Sequence, residues 1–255
     1  MSFWRAMARG FTLIEMAIVL VVIGLILSGG LLTLSPVLQG SRVSDTKSKL
    51  DAIEDALLVY SIQHNCLPCP ATATTATGGA NVGQALPQPL DANGCSTGAC
   101  TNARGVVPWV TLGLPEADAT DAWGMRITYA ITNGLATNGN MDRNGSDYSP
   151  LGTLLVSDLN APAGSAVTTA AAYVLVSHGP DRAFAYAAST GNLQADPHGS
   201  ANTDPQGRNA VTSSTNFIQD DIRTVENAAY YDDIVRWRSK PVLIQKCGSG
   251  SCGNP

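Results

Sequence analysis

Apolar residues follow two different patterns in the first quarter of the chain. The first is an almost unbroken apolar run over residues 11–34, preceded by ten residues that include Arg5 and Arg9. A helix over this run would measure roughly 36 Å, and a bilayer core of about 30 Å needs around 20 apolar residues. The run therefore predicts a membrane-spanning helix with one carboxylate, Glu15, close to its start.

The second pattern is periodic and covers residues 42–63. Leu50, Ile53, Leu57 and Tyr60 recur at intervals of three and four, and the charged residues lie mostly between them. Such spacing places the apolar side chains on one face of a helix. We expect an amphipathic helix that packs on its own domain and ends near residue 65, because two prolines follow.

Farther along, the apolar residues form short runs bounded by Gly, Pro or Asn, which is typical of strands. Their short connections favour an antiparallel sheet, and a helix followed by strands indicates the α+β class. The predicted fold is a long N-terminal helix, half membrane-spanning and half amphipathic, packed on an antiparallel sheet head with long disulfide-stapled loops. The strand candidates are residues 125–131, 151–156, 172–177, 183–187, 234–237 and 242–244.

Six cysteines lie beyond the apolar run, and an even number in an exported domain predicts disulfides in an oxidising compartment. They are Cys66, Cys69, Cys95, Cys100, Cys247 and Cys252.

The cysteine spacing favours local bridges, Cys95–Cys100 and Cys247–Cys252, which would leave Cys66–Cys69 by elimination. The alternative is a bridge from Cys69 to Cys95 or Cys100, which would fasten the end of the helix to the polar loop over residues 71–104. The sequence leaves both pairings open.

Composition and charge narrow the function classes. The chain has 255 residues, a net charge of −5 and only 14% charged residues, which suits an exported, loop-rich protein. The lack of a basic patch argues against nucleic-acid binding. Arg5 and Arg9 precede the apolar run and few basic residues follow it closely, so the N-terminus is expected in the cytoplasm and the head outside.

The start of the apolar run, Gly10-Phe11-Thr12-Leu13-Ile14-Glu15, resembles the N-terminus of type IV pilins and type II secretion pseudopilins. The resemblance implies that a prepilin peptidase cuts between Gly10 and Phe11 and N-methylates Phe11. It also implies that Glu15 neutralises the terminal amine of a neighbouring subunit during assembly. The alternative is an ordinary signal anchor with a chance glutamate, although residues 28–30 match a secretory cleavage site poorly.

Three segments of the head resemble a subset of minor pilin-like proteins. They are the Leu-Pro-Cys-Pro segment at 67–70, the segment at 107–114, and Asp-Ala-Trp-Gly at 121–124 leading into a strand. Trp109 and Trp123 lie in these segments, and we expect both to anchor the core rather than to bind a ligand.

Two segments are candidate calcium sites. Asn140, Asp142 and Asn144 alternate like the first half of a calcium loop, but the closing Glu is missing. An Asn/Gly turn is the alternative.

The other calcium candidate joins Asp181 to Asp232 and Asp233. The segment at 177–181 is similar to one in major pseudopilins whose loop holds calcium, although a much longer insert separates it here from the later aspartates. The alternative is a set of turn and capping aspartates. Apart from calcium, no cofactor is expected.

These observations give one functional prediction. Residues 1–10 form a prepilin leader, residues 11–65 the N-terminal helix with residues 11–34 as its transmembrane and assembly segment, and residues 66–255 a periplasmic or extracellular head. The protein is predicted to be a minor pilin-like structural subunit of a type IV pilus, without enzymatic activity. The alternatives are a pseudopilin of a type II secretion system and, from another class, a membrane-anchored periplasmic enzyme or binding protein.

The predicted partners follow from this assignment. They are other pilin or pseudopilin subunits, the prepilin peptidase, the inner-membrane assembly machinery and the membrane itself. The subunit is expected to cross the inner membrane once, with its head in the periplasm, before it enters a pilus or pseudopilus.

Overall fold

The computed structural model describes residues 10–31, 34–87, 90–142, 148–159, 166–198, 205–212, 216–223, 230–247 and 252. The chain divides into two compact units, Met1–Arg42 and Val43–Pro255. Of the predicted leader, only Gly10 lies within the described residues.

The first unit contains helix α1 (Leu13–Leu31) and the beginning of helix α2 (Leu34–His64). Every described side chain from residue 11 to 25 is exposed, including Phe11 at 78% and Leu13 at 89%. Within the described ranges, no helix combines the length and the apolar character needed to cross a membrane. The transmembrane helix over residues 11–34 therefore stays a prediction.

The second unit begins with the amphipathic part of α2, and here the periodicity prediction is confirmed. Leu50, Ile53 and Leu57 are fully buried, and Tyr60 is nearly so. The first three belong to the main hydrophobic core of the unit. Helix α2 ends at His64, one residue before the predicted end.

The sheet confirms the α+β class. The strands are β1 (Arg104–Val106), β2 (Met125–Arg126), β3 (Thr128–Ile131), β4 (Leu154–Asp158), β5 (Ala166–Ser177), β6 (Tyr186–Ala187), β7 (Phe217–Gln219) and β8 (Ile234–Ser239). The strand order in the main sheet is β1-β3-β5-β4-β7, with β8 also paired to β5, while β2 and β6 form a separate two-stranded sheet. All pairs are antiparallel except β4 with β7, which is parallel.

Alternation along β3 and β5 gives the sheet two buried faces. Tyr129 and Leu175 belong to the core that contains the α2 stripe, whereas Ala130 and Val174 belong to a second core with Phe217 of β7. Because neighbouring residues of a strand point to opposite faces, the sheet has apolar cover on both sides. The smaller helices are the 3-10 turn Asn133–Ala136, α3 (Pro205–Asn209) and α4 (Lys240–Lys246).

Several strand predictions need correction. The candidate at 125–131 is divided between β2 and β3, and of 183–187 only the last two residues form a strand. The candidate at 242–244 is wrong because it lies in α4, where Pro241 in the first turn favours a helix start. Strands β1 and β7 were not predicted; each has only three residues.

The disulfides correct the favoured cysteine pairing. The bridges are Cys66–Cys95, Cys69–Cys100 and Cys247–Cys252, so the local C-terminal bridge and the alternative Cys69–Cys100 bridge are confirmed. The predicted Cys95–Cys100 and Cys66–Cys69 bridges are wrong. The polar loop returns to the end of α2, where Tyr60 donates a hydrogen bond to the Gly94 carbonyl, and this brings its cysteines opposite those after the helix.

Candidate functional site

The N-terminal motif begins helix α1 with a reciprocal pair of hydrogen bonds. The Glu15 N–H donates to Thr12 Oγ1 over 3.3 Å, and the Thr12 N–H donates to Glu15 Oε2 over 3.4 Å. This is a capping box, which satisfies backbone donors that the first turn of a helix leaves unpaired. Glu15 therefore has a role within its own chain that the sequence prediction did not include.

The predicted cleavage position lies just outside this helix. Gly10 and Phe11 are exposed and precede the first helical residue, Leu13. A peptide bond outside a helix is accessible to a peptidase, whereas a helical bond would first have to unwind. Because Glu15 folds back to Thr12, its carboxylate lies toward the end of the chain that cleavage would expose.

A second cluster of polar residues lies in the head, where Asp181 follows β5 and Asp232 precedes β8. The Asp181 N–H donates to Asp232 Oδ2 over 2.9 Å, and the Gln206 side-chain amide donates to both carboxyls over 2.9 Å. Burial and the charge of Asp181 raise the pKa of the Asp232 carboxyl to about 7. These hydrogen bonds join three segments that are distant in sequence.

Gly179 lets these segments approach closely. Its φ is +62°, and a Cβ at this position would lie 2.4 Å from the backbone oxygen of Asp232. Any other residue would meet both backbone strain and a collision. The glycine of the 177–181 segment is thus explained by packing against the aspartate.

Asp233 contacts other residues than its neighbour Asp232 does. Its Oδ2 accepts a hydrogen bond of 2.7 Å from Asn209, and its Oδ1 lies 3.7 Å from Nδ1 of His178. The other ring nitrogen of His178 is 2.9 Å from the Thr128 hydroxyl. Burial lowers the pKa of His178 to about 4, so the ring is neutral at pH 7 and forms no ion pair there.

The predicted calcium ligands do not converge in the described part of the chain. Asp181 and Asp232 lie together, but Asp233 is engaged elsewhere, and no group of three or more His, Cys, Asp or Glu residues among the described ones could hold a metal ion. In the other candidate, Asn140 donates to the Gly134 carbonyl, and Asn144 lies outside the described residues. Calcium binding stays a prediction that the structure does not test.

The Asp-Ala-Trp-Gly segment is a turn fixed by its aspartate. Asp121 Oδ1 accepts hydrogen bonds from the N–H groups of Trp123 and Met125, both 2.9 Å long. Its Oδ2 accepts one from the Ser177 hydroxyl over 2.7 Å. Trp109 and Trp123 are both buried in the main core, as predicted.

Arg126 is a structural residue that the sequence prediction missed. It is fully buried, donates to the carbonyls of Ala73 and Ala188, and forms a 3.0 Å ion pair with Glu116. Its guanidinium also lies 5.1 Å from the centre of the Trp109 ring. It fixes the beginning of the long polar loop, and no local pattern singles out this arginine.

Comparison with known proteins identifies the N-terminal motif. The family model of the prokaryotic N-terminal methylation motif matches residues 5–31. This motif is the hallmark of the prepilin-type signal of type IV pilins and pseudopilins, and the match supports a pilin-like or pseudopilin protein in general terms. No curated protein and no solved structure is significantly similar to it.

The motif has consequences for processing and location. It implies cleavage by a prepilin peptidase, assembly with other pilin subunits and anchoring in a membrane.

Proposed function

We propose that the protein is a minor subunit of a type IV pilus, stored in the inner membrane by a single N-terminal helix with its head in the periplasm. The observation that carries the proposal is the exposed apolar surface of α1, which lies within the matched methylation motif. An apolar helix with its described side chains exposed needs lipid or other helices around it. A filament core supplies those helices, and a bilayer supplies the lipid.

The long loops of the head favour a minor pilus subunit over a secretion pseudopilin. The described part of the 71–103 loop contains no helix or strand, and two disulfides fasten it to the end of α2. Such a loop provides contact surface without contributing to the sheet. A type II secretion pseudopilin is the second candidate, because the same N-terminal motif serves both systems.

We propose no enzymatic activity and no resident cofactor for the head. Two groups with shifted pKa values hold loops together, since Asp232 accepts a hydrogen bond from the Asp181 N–H and the buried His178 contacts Thr128. The competing class, a membrane-anchored enzyme or binding protein, would leave the chain outside filaments. Filament incorporation therefore separates the two classes.

Substitutions at Glu15 test the proposed assembly role. Glu15→Leu is expected to leave membrane insertion intact and to lower incorporation into filaments by at least about 10-fold, because a charge partner for the neighbouring amine is lost. The measurement is immunodetection of the subunit in sheared filaments and in the membrane fraction. Normal filaments that contain the Leu variant would contradict the role of Glu15.

Two matched variants separate this role from helix capping. Glu15→Gln keeps a side chain that suits the capping box but removes the charge, whereas Thr12→Ala breaks the cap and keeps the charge. If the charge matters, the Gln variant assembles as poorly as the Leu variant and the Ala variant assembles well. The opposite order would assign the effect to the cap.

A further inference from the structure

Strand β8 (Ile234–Ser239) has one paired and one unpaired edge. It pairs with β5 from Ala171↔Ser239 to Ser177↔Ile234, and no strand in the described ranges pairs with its other side. The open edge of a strand presents a row of backbone N–H and C=O groups that can pair with another chain. The side chains of β8 between its two ends are only partly buried, which fits an edge position.

Two adjoining cavities follow this strand. One, of about 550 Å³, is lined by residues from Asp233 to Arg236 and by the end of β7; the other, of about 390 Å³, is lined by residues from Val235 to Ser239. They share Gln219, Val235 and Arg236, so together they form a groove along the whole of β8. The hydrogen bond of 2.8 Å from Trp237 Nε1 to Gln219 Oε1 connects its two walls.

The groove is more acidic at one end than at the other. Four aspartates, Asp158, Asp220, Asp221 and Asp233, line the cavity near Ile234 together with Lys47 and Arg236, whereas Arg236 and Arg238 are the charged residues of the cavity toward Ser239. Asp220 is paired with Arg223 and Arg238 with Glu54, so Asp221 and Arg236 are the charges that can face a ligand. Nε of Arg236 is buried and finds no hydrogen-bond acceptor among the described residues. Each cavity also has one half-exposed apolar side chain, Ile222 in the larger and Val242 in the smaller. Alternating apolar residues of a bound strand would therefore meet an apolar surface in each cavity.

We propose that this groove binds an extended segment of a partner polypeptide, which adds to β8 as an antiparallel strand. The segment carries an acidic residue near its N-terminal end, facing Arg236, and a basic residue near its C-terminal end, facing the exposed Asp221. Backbone pairing supplies the affinity, and the two charges set the direction. A six-residue segment matches the length of β8.

Binding is tested with the full chain in detergent micelles and a fluorescent peptide, acetyl-Glu-Thr-Val-Thr-Val-Lys-amide, by anisotropy. The expected result is saturable binding, weakened at least about 5-fold for the peptide of reversed sequence because its charges meet like charges. Absence of binding up to millimolar peptide, or equal binding of both peptides, would overturn the proposal.

N-methylation of the peptide backbone tests strand pairing itself. One peptide carries N-methyl groups at one alternate set of residues and a second peptide at the other set. Because only one edge of the peptide can face β8, exactly one of the two is expected to lose binding by roughly 10-fold or more. Equal effects of both would overturn strand addition.

A protein variant locates the acidic end. Asp221→Lys is expected to weaken the peptide about 5-fold, because it reverses a charge at the exposed end of the groove. Asp118→Lys makes the same change at a carboxylate that does not line the groove, and should leave binding unchanged. Equal loss in both variants would point to net charge alone and overturn the assignment.

Discussion

Helices α1 and α2 are both built around apolar residues, yet only one of them has those residues covered. In α1, Leu13 and Leu20 are 89% and 67% exposed, whereas Leu50 and Leu57 of α2 have no exposed surface. The difference follows from pattern, because a continuous apolar run has no polar face to turn toward water, while a stripe every three or four residues has one. The first unit depends on surroundings that other molecules supply, and the second supplies its own core.

Removing disulfides is the test for which we expect the largest effect, because it measures how much the head stabilises itself through its own cross-links. Cys69–Cys100 closes 31 residues and Cys247–Cys252 closes 5. On the chain-entropy model, closures of these lengths stabilise by roughly 3.5 and 2 kcal/mol. Because Cys66–Cys95 closes most of the same loop, all four cysteines at the end of α2 are replaced with Ala; this should lower the free energy of unfolding more than replacing Cys247 and Cys252 with Ala, as measured by urea titration. Equal losses would contradict the larger contribution of the closure at the end of α2.

The same leucine truncation in both helices sharpens the comparison. Leu57→Ala removes fully buried atoms and should destabilise the head by about 2 to 5 kcal/mol. Leu20→Ala removes exposed atoms and should change unfolding of the head by less than about 0.5 kcal/mol. Thermal unfolding of both full-length variants in detergent provides the measurement. A comparable effect of Leu20→Ala would mean that α1 contributes to the stability of the head.

The pH dependence of stability tests the polar cluster that joins the head loops. The pKa of Asp232 is raised from 3.8 to about 7, so its contribution is full below pH 4 and is lost as the pH rises to 7. The pKa of His178 is lowered from 6.5 to about 4, so its contribution is full above pH 6.5 and is lost as the pH falls to 4. The two slopes oppose each other over the same window.

Single substitutions should separate these opposing slopes. Relative to the unchanged protein, Asp232→Asn should become more stable as the pH rises from 4.5 to 6.5, because only the histidine contribution remains of the two. His178→Gln should show the reverse trend. Melting temperatures at three pH values in this window give the slopes, and parallel curves for both variants would contradict the assigned pKa directions.

Calcium is expected to have the smallest effect. Because the pKa of Asp232 is raised to about 7, its carboxyl is mostly protonated at pH 6, and the Gln206 amide donates to both Asp181 and Asp232, so a cation would have to displace the proton and the amide. Millimolar calcium should therefore shift the melting temperature at pH 6 by less than about 1 °C, with magnesium as the matched control. A larger shift with calcium alone, absent in Asp181→Asn, would restore the calcium site.

Local signals were sufficient for some elements and not for others. The α2 stripe could be predicted because the three- and four-residue spacing of its apolar residues is a local signal. The apolar run at 242–244 was ambiguous, because a short run of this kind fits either a strand or a helix. The structure has a helix there, with Pro241 in its first turn. The strand Phe217–Gln219 depends on pairing with β4, and no local feature of the sequence predicts this pairing.

The candidate site shows the same division. Gly10, Phe11 and Glu15 were found from a contiguous motif, which a family model also matches. Other contacts join residues that are far apart in sequence and can be recognised only in the folded chain. They are the hydrogen bonds of Gln206 to Asp181 and Asp232, and those of Arg126 to the polar loop. The favoured pairing of Cys66, Cys69, Cys95 and Cys100 was wrong for this reason, because spacing says nothing about where a long loop returns, whereas the local Cys247–Cys252 bridge was predicted correctly.

The most direct test is the N-terminus of the protein after expression with a prepilin peptidase. Intact mass and N-terminal sequencing should give a mature chain that begins at N-methylated Phe11, because the Gly10–Phe11 bond lies outside α1 and within the matched motif. A Gly10→Val variant should remain uncut and serves as the control. A chain that still begins at Met1, or one cut after the apolar run, would contradict the assignment to the pilin pathway.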